Sequence, residues 1–249
     1  METLSRGSNC LAIVLAFVVI GICAPAQVDA NHGVKVFPGM EIHQGSTICT
    51  LGFVEVRLGI ALTTGRCDGG PVVTDSNRDV VGAVYLARHN PADDAAVDGS
   101  MSGVEYEVIR LASNVIASDR LPTGRQLESM PGLPAQPALP VCHFGISTGQ
   151  TCGRGSSVGD VGLDIPGTST GRHDIGGPVY ALTDDNRAVI VGLFDGMWRS
   201  VPEAESWQAI MHQLYVDLRS FPSQQPVSAV RMVSRVQRDD ALQIYPSTA

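Results

Sequence analysis

The stretch "GRHDIGGPVY", residues 171–180, places Asp174 just ahead of Gly176, Gly177 and Pro178, a tight loop of the kind that holds a reactive side chain up to a substrate. The residue it presents is Ile175, which has no lone pair and attacks no carbonyl. Other candidate nucleophiles are Thr63, Thr64, Ser169 and Thr170, which read as hydroxyls bonded to neighbouring turns. Among the histidines, His32 and His43 lie near the expected mature N-terminus, His89 in a loop-like stretch and His212 on a helical one, and none follows a motif that would make it a general base. The acidic run "DDAAVD", with Asp93, Asp94 and Asp98, lacks the spaced ligands of a dedicated calcium loop and reads as a solvated turn. No metal and no cofactor is expected.

Six cysteines are present, and two of them, Cys10 and Cys23, fall inside an N-terminal segment that reads as a secretory signal peptide over residues 1–30. Its apolar run, "LAIVLAFVVIGI", is shorter than the ~20 residues a bilayer span needs, so no stable membrane anchor is expected after cleavage. Four cysteines then remain, Cys49, Cys67, Cys142 and Cys152, and an even number in an exported chain suggests two disulfides. Three connectivities are open; proximity favours Cys49 with Cys67 and Cys142 with Cys152. Neither spacing is a close C-x-x-C pair, which argues against zinc. Cleavage removes Glu2, Arg6 and Asp29 and moves the net charge from −8 to −7, a balance that excludes nucleic acid as the main partner.

The elements that must position these groups read as strands. Short β-branched runs, "GVKVF", "GFVEV", "GIALTT", "PVVT", "VVGAVYL", "EYEVIRL", "PVYAL" and "AVIVGLF", recur between Gly, Asp, Asn and Pro clusters, as in an all-β sandwich or barrel. The turn signals "SNRD" and "TDDNR" each separate two such runs. Residues 121–140 carry five prolines and read as a linker between an N-terminal half, 31–120, and a C-terminal half, 141–221. A closing helix is expected in "EAESWQAIMHQLYVDLRS", begun by Pro202, Glu203 and Glu205, with Trp207, Ile210, Met211, Leu214 and Leu218 on its core face. Residues 222–249 read as a polar tail that is disordered or adds an edge strand.

Four segments, in order, resemble the chymotrypsin/trypsin-like serine proteases, most of all their secreted bacterial branch of streptogrisins and α-lytic protease. "CTLGFV" with "ALTTGRC" resembles the first disulfide loop and its T-A-G-H-C segment; "VEYEVIRL" resembles D-Y-G-[IV]-[IV]-R; "VCHFGISTGQTCG" resembles V-C-R-S-G-x-T-T-G-x-x-C-G with the second disulfide; "HDIGGPVY" resembles G-D-S-G-G-P. The resemblance covers most of residues 31–221. It implies two six-stranded Greek-key β-barrels with a C-terminal helix.

The same resemblance places the family's catalytic histidine, aspartate and serine at Arg66, Glu105 and Ile175. No member of the triad is intact. Arginine stays protonated and accepts no proton; loss of a triad serine alone costs on the order of 10⁶ in kcat. The oxyanion loop maps to His173, Asp174, Ile175 and Gly176, with His173 where the family has a glycine free to take a positive φ. Three expectations follow. Glu105 and Arg66 form an ion pair; His143 and Asp174 form a buried pair, replacing the family's arginine–aspartate pair, with the histidine's pKa raised; and the chain is a secreted or cell-envelope pseudoprotease that binds a protein or peptide in its inter-barrel cleft. The alternatives are an active serine endopeptidase of non-standard arrangement and a structural envelope protein.

Overall fold

All but one of the β-branched runs pair into two largely antiparallel sheets, each bent back on itself; the first instead makes a separate parallel pair, Lys35–Val36 with Ile116–Ala117. The computed structural model describes residues 33–89, 103–130, 140–158, 162–183, 186–198 and 200–220; the expected signal peptide, the acidic run at 93–98, residues 131–139 of the proline-rich segment and the tail after 220 lie outside them. The first half holds β1 (Lys35–Val36), β2 (Glu41–Gln44), β3 (Thr47–Thr50), β4 (Phe53–Glu55), β5 (Ile60–Thr63), β6 (Val72–Thr74), β7 (Val80–Arg88), β8 (Tyr106–Leu111) and β9 (Ile116–Ala117). The strand β10 (Gln126–Glu128) follows. The second half holds β11 (Pro140–Gly145), β12 (Gly149–Arg154), β13 (Ser156–Val158), β14 (Gly162–Asp164), β15 (Pro178–Leu182), β16 (Arg187–Trp198), β17 (Val201–Ser206) and the helix α1 (Trp207–Ser220).

The first sheet runs β3-β2-β6-β7-β8-β5-β4. Its two end strands, β3 and β4, are one stretch of chain bent at Leu51–Gly52, so the sheet closes on itself as six strands. Gly52 permits the bend at a crowded point, where a Cβ would lie 2.2 Å from Leu193 and 2.5 Å from the Gly176 carbonyl. The second sheet repeats the device: it runs β12-β11-β15-β16-β17-β14-β13, and β12 and β13 are contiguous across Gly155. In each half, the fourth strand returns beside the first, with the second and third following it, which is the Greek-key order. Both barrels therefore have the same six-stranded topology.

Three apolar clusters fill the molecule. Ile42, Leu51, Val73, Val81 and Ile109 fill the first barrel; Val141, Leu163, Ile165, Val191 and Phe194 fill the second. A third cluster joins Phe53, Leu62 and Tyr106 of the first half to Tyr180, Leu193, Trp207 and Ile210 of the second. The Phe53 and Trp207 rings meet at 5.0 Å. The disulfides are Cys49–Cys67 and Cys142–Cys152, one per half.

Three expectations change. The proline-rich segment is not linker throughout, because β10 pairs in parallel with β16 and buries Leu127. The helix begins at Trp207, since residues 201–206 are held as a strand between β14 and β16. Its buried face is Trp207, Ile210, Leu214 and Asp217, which leaves Met211 39% and Leu218 52% exposed. Asp217 replaces them inside by accepting hydrogen bonds from the Tyr106 hydroxyl (2.5 Å) and Arg88 (3.2 Å). Among the described residues no helix is long and apolar enough to cross a membrane.

Candidate functional site

Arg66 sits in a single 3-10 turn, Gly65–Cys67, directly after β5. Thr64 caps the turn and the Cys67 disulfide ties it to β3. Glu105 immediately precedes β8 and is buried. Ile175 ends a second 3-10 turn, Arg172–Asp174, and its carbonyl accepts from the Thr50 N–H at 2.8 Å. Its half-buried side chain packs against the cores of both barrels, so it works as an apolar wedge between them.

The expected pairing of Arg66 with Glu105 is only the lesser contact. Arg66 Nε lies 3.9 Å from Glu105 Oε2 but 3.0 Å from Asp195 Oδ2. Asp195 was not among the expected site residues. It is the extra residue of a bulge in β16, between Phe194 and Gly196, and such a bulge re-aims a side chain that the regular pleat would send elsewhere. Its other oxygen accepts from the Thr64 hydroxyl at 2.7 Å. The sequence signal was a lone charge within the apolar run "VIVGLFDGMW".

A further carboxyl group lies close by. Glu205, buried in β17, accepts from the Glu105 N–H at 3.3 Å. Burial foremost, then the Asp195 carboxylate, pushes its pKa up to about 9. At neutral pH it is therefore neutral, and the charged members of the site are one guanidinium and the carboxylates around it.

The oxyanion loop is also altered. His173 lies in the 3-10 turn and is not among the positive-φ residues, and the Asp174 N–H donates to the Gly171 carbonyl at 3.1 Å. A turn with positive φ at its third position turns the central peptide over relative to this geometry. The N–H of His173 therefore points away from where a glycine at positive φ would aim it. Gly176 alone keeps a positive φ in this segment, +86°.

Asp174 and His143 are both fully buried and adjacent, but Nε2 and Oδ2 are 4.0 Å apart, beyond hydrogen-bond reach. The Asp174 carboxylate is instead satisfied by the Ser147 N–H (2.7 Å), the Gly171 N–H (2.6 Å) and the Thr148 hydroxyl (2.7 Å). Neither ring nitrogen of His143 reaches a partner in hydrogen-bond geometry. Burial lowers its pKa to about 4, with Asp174 and the nearby Pro178 carbonyl opposing only in part. The expected rise is therefore reversed: desolvation outweighs the carboxylate.

Of the other candidate hydroxyls, Thr63 and Thr170 bond to groups on other elements rather than to a neighbouring turn. Thr63 donates to the Thr50 carbonyl at 3.2 Å, and Thr170 donates to Met197 Sδ at 3.4 Å. Away from the triad positions, a groove of about 560 Å³ runs between Phe53–Arg57, Ala117–Asp119 and Leu127–Ser129.

No family model matches the chain. It is 42% identical over 200 residues to "Uncharacterized protein Rv1815" of Mycobacterium tuberculosis H37Rv, spanning 80% of this chain and 90% of that one. The same figures hold for "Uncharacterized protein MT1863" of strain CDC 1551. Among solved structures, a glutamic acid-specific serine protease superposes with a TM-score of 0.52 at 16% identity, over 73% of this chain and 97% of its own. With two closed Greek-key barrels and this relationship, the chain belongs to the family of the mycobacterial protein Rv1815 and has the fold of the chymotrypsin-like serine proteases.

Proposed function

We propose that this protein is a catalytically inactive chymotrypsin-like homologue that acts outside the cell or in the cell envelope by binding a protein or peptide between its barrels. The observation that carries the reading is the ion pair of Arg66 with Asp195 at 3.0 Å. It fixes a permanent cation where a proteolytic site needs a base, beside an isoleucine where it needs a nucleophile. The two disulfides support an oxidising compartment. The test is incubation of the purified protein with peptide and ester substrates and a fluorophosphonate probe. Turnover no greater than a heat-killed control, and no labelled residue, is the expected result. A labelled serine or threonine whose mutation abolishes turnover overturns the proposal.

A further inference from the structure

Next to the turn that carries Arg66, three side chains from separate elements converge. Asp68 follows that turn, His89 follows β7, and Glu107 lies in β8, its backbone registered against Ala87 and Thr63. One nitrogen of His89 and one oxygen from each of the two carboxylates all lie within 4.8 Å of one another. We propose that Asp68, His89 and Glu107 bind one divalent transition-metal ion of the zinc class.

Two observations point to a ligand here beyond the clustering. Glu107 is fully buried, and although its Oε2 accepts from Gln44, its Oε1 has no hydrogen-bond donor. A buried carboxyl oxygen without a partner is costly, and a cation that takes it as a ligand removes that cost. Independently, His89 Nδ1 lies 2.7 Å from the Gly65 carbonyl. A carbonyl only accepts, so Nδ1 carries a proton, and in the neutral ring Nε2 is the nitrogen left with a lone pair, here 3.6 Å from Asp68 Oδ2. That backbone contact is the outer-shell partner that orients metal-bound imidazoles.

The chemistry selects the ion. An imidazole with two carboxylates suits zinc and its transition-metal neighbours, whereas calcium and magnesium take all-oxygen shells. Tetrahedral bonds of about 2.0–2.2 Å put ligand atoms about 3.4 Å apart, so the widest pair closes by at most about 1.4 Å. The exposed partners, Asp68 and His89, can make that movement, and their open side leaves room for water as the fourth ligand. The bound ion ties the Arg66 turn to the edge of β7 and β8. This site is independent of whether the chain hydrolyses anything.

Zinc titration of the chelator-stripped full chain by calorimetry, with cobalt absorption as a second readout, decides the matter. One saturable site is expected, accompanied by a rise in Tm. Affinity falls at least tenfold in Asp68→Asn, His89→Gln and Glu107→Gln, and is unchanged in the control His212→Gln. Asp68 is exposed, so its variant remains informative if Glu107→Gln fails to fold. Absence of saturable binding, or affinity unaltered in Asp68→Asn and His89→Gln, overturns the proposal.

Discussion

At Arg66, the replacement of an imidazole by a guanidinium changes what the surrounding carboxylates do. In a proteolytic site a carboxylate orients a base; here Asp195 and Glu105 stabilise a cation. Arg66→Met leaves those carboxylates facing one another without it. The side chain is 39% exposed, so solvent screening reduces the cost well below that of a deeply buried pair, to about 1–2 kcal/mol. Urea unfolding of Arg66→Met, Asp195→Asn and the double variant should give a coupling of about 1 kcal/mol; additive losses would show that the 3.0 Å contact contributes nothing. Catalysis should not return with the nucleophile alone. Ile175→Ser is expected to hydrolyse esters no faster than the parent, because Arg66 still leaves the new hydroxyl without a base. Arg66 and Ile175 stand out in the sequence because Gly65, Cys67 and Gly176 flank them, whereas Glu105 is marked only by the strand pattern that follows it. Asp195 was not legible, because a bulge in a long strand, rather than any local motif, directs it to Arg66.

At the scale of elements, all eight β-branched runs formed strands, since their side chains suit a half-buried pleat. The strands that periodicity missed, such as β2, β12 and β17, are short or rich in Gly, Gln, Glu and Pro, and are held by their neighbours more than by their own propensity. In β17, Pro202 with Glu203 and Glu205 imitates a helix start, but pairing on both sides with β14 and β16 overrides that local signal. The loop glycines have an equally physical reason. Gly176 takes φ +86°, and a Cβ there would lie 2.0 Å from Thr63 Oγ1 and 2.6 Å from the Thr50 carbonyl. Gly176→Ala combines backbone strain with overpacking, and a loss of at least ~2 kcal/mol is expected by denaturant unfolding. A loss below ~0.5 kcal/mol would mean that the loop gives way at little cost, contrary to its contacts with both barrels.

Over the whole molecule, two barrels of identical topology share an apolar interface, and the second barrel holds two buried groups whose protonation acts on stability in opposite directions. His143, in the second barrel's first strand, faces Asp174 and Phe194. Glu205, in its last strand, meets Asp195, Glu105 and Glu203 at the seam with the first barrel. The folded pKa of His143, about 4, is below its unfolded value of 6.5, so its contribution is complete above 6.5 and is lost as pH falls towards 4. That loss amounts to roughly 3 kcal/mol. The folded pKa of Glu205, about 9, is above its unfolded 4.5, so its contribution is complete below 4.5 and declines as pH rises through 9. Between pH 4.5 and 6.5 the two slopes are equal and opposite, each about 1.4 kcal/mol per pH unit, and they offset. Of these two groups, Glu205 alone acts above 6.5. Compared with the parent, His143→Leu should therefore lose stability with rising pH between 4.5 and 6.5 and run parallel to it above. Glu205→Gln should instead gain on the parent steadily up to pH 9. Urea midpoints at half-unit intervals from pH 4 to 9 measure both differences. A His143→Leu profile parallel to the parent throughout would mean that the buried imidazole takes up its proton in the folded state as readily as in the unfolded one, and that its desolvation has no thermodynamic weight.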